Sequence, residues 1–99
     1  MLAITSAERR ALRGRAHHLH PVVAIGQHGL TPSVLREIDV NLRAHELIKV
    51  RLEVEDAKER REAGRRLAED TDAHLVGAVG KVAILYRARA EEPAIRLPA

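Results

Sequence analysis

Strand-like and helix-like segments alternate through the middle of this sequence. Residues 47–55 alternate between apolar and charged side chains, which predicts a β-strand with one core face and one polar face. Residues 21–25 are a short, continuous apolar run, which predicts a strand buried on both faces. Between the two, Thr31 and Pro32 are typical N-cap and first-turn residues of a helix that ends near His45. A strand, a helix and a strand in this order predict a right-handed crossover between parallel strands.

Further helix and strand signals lie before and after this strand-helix-strand segment. Residues 5–17 begin with a capping box and predict an N-terminal helix, and residues 56–70 predict a further helix with a thin apolar stripe. Residues 73–79 and 81–88 predict two strands joined by a two-residue turn with Gly80 first. The order is therefore a helix followed by β-α-β-α-β-β. It predicts the α/β class, as a two-layer α+β arrangement, with a largely parallel sheet and one antiparallel strand from the closing hairpin.

The length and composition of the chain narrow its class. Its 99 residues suit a single domain over residues 1–99, with residues 89–99 as a largely irregular tail. The absence of cysteine excludes disulfides, thiolate metal sites and cysteine nucleophiles. No apolar run approaches the roughly 18 residues of a membrane span, and the N-terminus lacks the pattern of a signal peptide. We therefore expect a cytoplasmic, monomeric protein without membrane contact.

The positive charge of the sequence is concentrated near its N-terminus. The formal net charge is +3; residues 1–29 hold four arginines and one acid, whereas residues 30–99 are neutral. An arginine side chain can donate two hydrogen bonds to one phosphate, so this concentration predicts contact with a polyanion such as RNA. Arg9, Arg10 and Arg13 share one face of the predicted first helix. That face is either a basic stripe that binds RNA or an ordinary solvated surface.

A glycine loop joins the first strand to the second helix. Gly26 and Gly29 bracket two polar residues, Gln27 and His28, and the helix begins at Thr31. Glycines allow a ligand to approach the backbone closely, and a helix N-terminus offers free N–H groups and a partial positive charge to a phosphate. KH domains use a GXXG loop to hold a nucleic-acid backbone. The alternative is that the two glycines only form a tight turn.

The sequence gives poor support for other sites. A second GxxG, residues 77–80, lies inside a predicted strand, where packing and a turn explain it better. Four histidines lie before Leu30, but no cysteine or nearby carboxylate accompanies them, so we predict no metal site. Ser6 and Ser33 fall at helix starts, where capping explains them. Tyr86 is the only Phe, Tyr or Trp, which excludes a multi-aromatic stacking platform and leaves phosphate contacts to hold RNA.

An ordered series of short motifs extends over about residues 5–97. The motifs are Leu12-Arg13, Ala16-His17, Leu19, Pro21-Val22-Val23, Ile25 to Thr31, Val34-Leu35, Glu37-Ile38, His45 to Val50, Val79-Gly80-Lys81 and Ile84 to Arg87. In this order they resemble the CRM domain (chloroplast RNA splicing and ribosome maturation) in its bacterial stand-alone form. The ordered match over nearly the whole chain is far more specific than any single motif.

This resemblance implies a fold and a function. The fold would resemble the C-terminal domain of translation initiation factor three, with a four-stranded mixed sheet in the order 1-2-4-3 and two helices on one face. The function would be RNA binding in assembly of the large ribosomal subunit, without catalysis, cofactor or small-molecule substrate. The implied glycine-loop site and the basic residues mapped onto it are Gly26, Gln27, His28, Gly29, Thr31, Arg9, Arg10, Arg13 and Lys49. The alternative is a protein-interaction module that associates with ribosomal or other RNA-bound proteins.

Overall fold

Three helices and four strands form the part of the chain that the structure describes, residues 3–26 and 28–98. The structure is a computed structural model. In chain order the elements are α1 (Ser6–Ala16), β1 (Pro21–Ile25), α2 (Pro32–His45), β2 (Leu47–Leu52), α3 (Ala57–Asp70), β3 (His74–Val79) and β4 (Val82–Tyr86). This is the order that the sequence predicts. None of the described helices is long and apolar enough to cross a membrane.

Each helix begins next to a residue whose side chain caps it. The Thr5 hydroxyl accepts a hydrogen bond from the Glu8 N–H at 3.0 Å, and the Glu8 carboxylate accepts one from the Thr5 N–H at 2.8 Å. The side chains of Thr31 and Asp56 accept equivalent bonds at the starts of α2 and α3. Such bonds satisfy N–H groups that lack a partner within the helix. The three predicted helix starts are therefore confirmed.

The four described strands form one mixed sheet in the order β1-β2-β4-β3. β1 pairs with β2 in parallel, whereas β4 pairs antiparallel with both β2 and β3. Three strands therefore run in one direction, as the alternation of strands and helices predicts, and the closing hairpin supplies the antiparallel one. Because β4 lies between β2 and β3, β1–β2 is the single parallel pair of neighbours among the described strands. The strand order 1-2-4-3 is confirmed.

The β3–β4 hairpin closes through the predicted two-residue turn. Val79 and Val82 pair on either side of it, and Gly80 has a φ of +57°. A positive φ at the first turn residue matches a type II′ turn, whose twist suits the flanking strands. The backbone conformation therefore favours glycine here.

β1 is an edge strand, and the prediction that it is buried on both faces is wrong. Val23 and Ile25 point into the core and expose 6% and 2% of their surface, whereas Val22 and Ala24 are exposed. The exposed pair lies on the face of the sheet that α1 covers, but α1 packs chiefly on β2, β3 and β4. The apolar run therefore forms a strand with one buried face and one open face.

The sheet has a hydrophobic core on each face. The larger core lies between the sheet and the helices α2 and α3, where Ile38, Leu42 and Leu67 are fully buried. The smaller core lies under α1, where Leu12 and Ala16 pack against β2, β3 and β4. The two helices expected on one face are therefore present, and α1 adds a partial third layer on the other face.

Residues 87–98 contain no helix or strand, as the sequence predicts for the end of the chain. Ile95 is buried in the smaller core, and Leu97 is packed against it. The irregular tail is therefore held against the sheet by its two large apolar residues.

Candidate nucleic-acid interface

The glycine loop follows β1 and has an open backbone. A side-chain carbon built on Gly26 or Gly29 would meet no described atom within 4 Å. Gly29 has a φ of +67°, and its N–H donates to the Gly26 carbonyl at 3.1 Å, so the turn itself favours glycine there. Gly26 is not among the described residues with positive φ. A tight turn therefore explains Gly29 and leaves Gly26 unexplained. His28 is exposed, and Gln27 lies outside the described residues.

The start of α2 offers backbone donors next to this loop. The Thr31 hydroxyl accepts from the Val34 N–H at 3.2 Å, whereas the Ser33 N–H has no acceptor within the described part of the chain. The first turns of α1 and α3 each contain a glutamate, but that of α2 contains no acid. The positive end of the α2 dipole is therefore not neutralised by its own first turn and favours an anion.

Arg9 is engaged in the fold. Its Nη1 atom donates to the carbonyls of Leu75 and Val76 at 2.8 and 2.6 Å, and the side chain is half-buried. The register between β3 and β4 shifts between Leu75 and Gly77, and a bulge of this kind leaves backbone groups without a strand partner. Arg9 binds the carbonyl of Val76, which has no partner in the register, and that of Leu75 beside it. One function of this arginine is therefore to hold α1 against β3.

Arg10 and Arg13 are exposed on α1 and form no ion pair with any described residue. Arg13 lies over Gly77 of β3, where a side-chain carbon on the glycine would come within 2.9 Å of the Arg13 Nε. Glycine at this position therefore leaves the space that the guanidinium group occupies, which confirms the packing explanation of the second GxxG. Both arginines can donate to a ligand.

Lys49 supports the connection that precedes β1. Its Nζ donates to the Leu19 carbonyl at 3.0 Å, and the residue is half-buried. Lys49 is also the β2 partner of Pro21, the first residue of β1. The ammonium group therefore has a structural partner and keeps further protons for other acceptors.

The predicted site residues lie at two levels along β1. Arg13 and Lys49 lie near its first residue, and the glycine loop follows its last. Strand pairing places Gly77, with Arg13 over it, at the same level of the sheet as Lys49. Gly26 follows the opposite end of β1, four β2 positions beyond Lys49 in the register, and at a rise of about 3.3 Å per residue it lies about 13 Å from that level. The structure therefore does not bring the glycine loop into contact with Lys49. A ligand that contacts both groups must extend along the sheet.

Residues 30–99, whose formal net charge is zero, also contribute cations to the candidate interface. Arg60 and Arg61 of α3 and Lys81 of the β3–β4 turn surround one groove together with Arg9 and Arg13. The zero net charge of residues 30–99 does not reveal this group of cations, because it adds together charges that lie on different faces of the same helix. The consecutive arginines Arg60 and Arg61, near the start of α3, are the sequence feature that could have indicated this group.

The described histidines do not assemble into a metal site. No group of three or more His, Cys, Asp or Glu side chains in the described ranges could hold a metal ion. His17 and His18 pack edge to face, with ring centroids 5.4 Å apart. The candidate interface therefore consists of an open backbone loop, a helix N-terminus and arginines.

The chain is similar to known proteins in sequence and in structure. The family model of the CRS1 / YhbY (CRM) domain matches residues 4–87. An RNA-binding protein of Haemophilus influenzae is 39% identical over 98 residues, which cover 99% of this chain and 98% of the relative. A probable RNA-binding protein of Pseudomonas aeruginosa is 36% identical over 86 residues, which cover 87% of this chain and 83% of the relative. The solution structure of a hypothetical protein from Staphylococcus aureus matches with a TM-score of 0.85 and 32% identity, over 97% of this chain and 100% of that one.

Proposed function

The chain belongs to the CRS1 / YhbY (CRM) domain family, and from that membership we propose that it binds RNA through the glycine loop and the start of α2. Two relatives that it matches over most of their length are named for RNA binding, which supports the general function. We add to this general function the surface that contacts the RNA and the backbone and arginine groups that bind it. The protein acts by binding, without catalysis or a cofactor.

The open backbone at Gly26 supports contact with RNA at this loop. Neither a positive φ nor a neighbouring atom accounts for glycine at this position. Close approach of a phosphate does account for it, because any side chain would stand between the phosphate and the backbone. The uncompensated start of α2 follows within a few residues. Hydrogen bonds from backbone N–H groups to a phosphate are charge-assisted and therefore stronger than neutral ones.

The exposed arginines of α1 extend this contact. Arg10 and Arg13 donate to phosphates further along the RNA, while Arg9 and Lys49 hold α1 and the following connection in place through their carbonyl contacts. Tyr86 is only 5% exposed, so it offers no face on which a base could stack. Contacts made mainly to phosphates carry little sequence information and weaken steeply with salt.

We further propose that the RNA is ribosomal RNA in the precursor of the large subunit. This step rests on the ordered motifs that the chain shares with the stand-alone bacterial CRM domain. The test is to sediment the protein with precursor particles before and after ribonuclease treatment. Release by ribonuclease supports RNA binding, whereas retention supports the alternative of a protein-interaction module.

A negative charge placed on the loop tests the proposed surface. Gly26→Glu puts a carboxylate where the proposal puts a phosphate, and the open space around Gly26 allows the fold to persist. Val40→Glu adds the same charge to α2, at a residue that is 64% exposed, and is the matched control. Circular dichroism checks that both variants fold.

The readout is the affinity for a fluorescein-labelled single-stranded RNA of mixed sequence. We expect Gly26→Glu to weaken binding by about tenfold or more, the equivalent of one charge-assisted contact. Val40→Glu should bind like the wild type. Equal affinities of the two folded variants would overturn the proposed surface.

A further inference from the structure

A second group of cations surrounds the open edge of β3. A groove of about 710 Å³ runs between α1, β3 and α3. Six cationic side chains line it and, within the described residues, no aspartate or glutamate does. The cations are Arg9, Arg13, Arg60, Arg61, Arg65 and Lys81. A cluster of one charge sign raises the local concentration of opposite charge, so the groove favours an anionic ligand.

Carboxylates just outside the groove neutralise two of these cations. Arg65 pairs with Glu62 and Glu69 on its own helix, and Lys81 pairs with Glu55. These pairs are exposed, so each contributes little to stability. They nevertheless reduce the charge that these two side chains can offer to a ligand.

The other four cations have no carboxylate partner within the described chain. Arg9 and Arg60 each use one nitrogen, Nη1, to donate to backbone carbonyls, which fixes the guanidinium group in place. The side chains of Arg13 and Arg61 form no hydrogen bond with a described residue. Each of the four side chains therefore keeps N–H donors for a ligand, and two of them are already held in position.

Several small residues line the groove beside the cations. Gly64 of α3 and Gly77 and Ala78 of β3 line it, and β3 is an edge strand of the sheet. The small side chain of Ala78 is exposed beside Gly77, over which Arg13 lies, and the outer N–H groups of an edge strand are free to donate. The groove therefore combines backbone donors with guanidinium groups.

The groove opens at the same end of the sheet as the glycine loop. The Glu53 N–H donates to the Ile25 carbonyl at 2.9 Å, and the Leu52 N–H donates to the Lys81 carbonyl at 2.7 Å. These bonds join the end of β1 to the β3–β4 turn through the end of β2. β1 and β3 are three strand spacings apart in the sheet, which is about 14 Å. A single extended RNA strand can therefore contact both surfaces.

We propose that this groove is a second RNA-binding surface, which takes the phosphate backbone of the same RNA that the glycine loop holds. The proposal rests on the proposed function and extends the RNA path from the loop, past Gly80 and Lys81, to α3. Arg13 and Arg61 contact phosphates directly, and Arg9 and Arg60 do so with the nitrogens that the fold leaves free. Backbone pairing of a protein strand with β3 does not require the surrounding arginines, whereas every phosphate of an RNA strand can bind one. The charge therefore favours RNA as the ligand.

Charge reversal on two sides of α3 tests this surface. Arg61→Glu reverses a groove cation that has no structural partner. Arg66→Glu makes the same change about 140° around the helix, at an exposed arginine that does not line the groove. The probe is the fluorescein-labelled single-stranded RNA of mixed sequence, and affinity is measured over a range of salt concentrations.

The expected results separate the groove from the rest of the molecule. Arg61→Glu should lower the affinity by about tenfold and reduce the slope of log K against log salt by about 0.7, the value for one lost contact to a single strand. Arg66→Glu should change neither. Equal affinity and slope in the two folded variants would overturn the proposal.

The Gly26→Glu variant distinguishes failure of the groove from failure of the proposed function. If Gly26→Glu weakens binding while Arg61→Glu leaves it unchanged, the loop stands and the groove is refuted. If the wild type itself does not bind the probe, the proposed function fails and the groove proposal with it. If Arg61→Glu alone weakens binding, the groove binds RNA, and the proposed contact at the glycine loop is refuted together with the path that joins the two surfaces.

A crosslink identifies what lies in the groove. The natural chain has no cysteine, so Ala78→Cys creates a unique attachment point for a benzophenone on exposed β3. In the complex with the labelled RNA, ultraviolet light should join this position to RNA, whereas the same label on Val40→Cys should not react. Retained RNA binding without an adduct at position 78 would contradict the proposed path of the RNA.

Discussion

The carboxylate of Glu46 accepts a hydrogen bond from the backbone N–H of Ile95, with its Oε1 2.9 Å from that nitrogen. The same carboxylate also accepts from the N–H groups of Ala94 and Arg89, each at 2.7 Å. Glu46 is fully buried and lies between α2 and β2 with a φ of +63°. A single side chain therefore connects the irregular tail to the start of a central strand.

Removing the charge of Glu46 should destabilise the fold. Glu46→Gln keeps the shape of the side chain but replaces one acceptor oxygen with a donor that faces backbone N–H groups. We expect a loss of about 2 kcal/mol in the free energy of unfolding, the cost of leaving buried donors without a partner. Urea denaturation measures it. The control is Glu91→Gln, an exposed glutamate whose replacement should change stability by less than about 0.5 kcal/mol; similar losses in both variants would contradict the role of Glu46.

Acid should weaken this connection. Burial raises the pKa of Glu46, but the hydrogen bonds from the N–H groups of Arg89, Ile95 and Ala94 lower it more, so the net pKa lies below the ordinary value of 4.5. The fold therefore favours the deprotonated form, and this stabilisation is present above pH 4.5 and is lost as the pH falls through the lowered pKa. The unfolding free energy of the wild type should fall more steeply below pH 4.5 than that of Glu46→Gln. Parallel pH profiles would refute this assignment.

Arg9 and Arg10 are neighbours in sequence but should differ in their effect on stability. Arg9→Ala removes two hydrogen bonds to the carbonyls at the β3 bulge and should cost about 1–2 kcal/mol. Arg10→Ala removes an exposed side chain without a described partner and should change stability by less than about 0.5 kcal/mol. Thermal or urea unfolding of the two variants provides the comparison. An Arg9→Ala variant as stable as Arg10→Ala would show that the bulge contacts contribute nothing.

Two glycines should respond in opposite ways to replacement by alanine. A side-chain carbon at Gly64 would lie 3.7 Å from Leu52 and 3.8 Å from Leu75, which is ordinary contact. Gly64→Ala should therefore stabilise α3 by about 0.5–1 kcal/mol, because glycine lowers helix stability. Gly80 has a φ of +57°, so Gly80→Ala should destabilise the hairpin by about 1 kcal/mol or more. Melting temperatures that move in the same direction would contradict this distinction.

The sequence predicted the elements well because local signals determine them. The caps at Thr5, Thr31 and Asp56 and the turn at Gly80 each depend on residues within a few positions of one another. The order of the strands in the sheet came instead from the resemblance to a known family. Alternation of strands and helices alone does not place β4 between β2 and β3.

Long-range contacts account for what the sequence did not show. An apolar run looks the same on a central strand and on an edge strand, so the exposure of Val22 and Ala24 could not be predicted. The carbonyl partners of Arg9 lie 66 and 67 residues away, and nothing in the basic face of the helix distinguishes Arg9 from Arg10. The grouping of Arg61 with Arg13 likewise depends on two helices that lie on opposite faces of the sheet.

NMR titration of the ¹⁵N-labelled protein with single-stranded RNA shows whether the backbone of the glycine loop and of the start of α2 contacts RNA. We expect the amide signals of Gly26, Gly29 and Ser33 to shift at the lowest RNA concentrations, while those of Val40 and Glu91 stay in place. Shifts that cover other surfaces and leave the three loop and helix-start amides unchanged would contradict this contact.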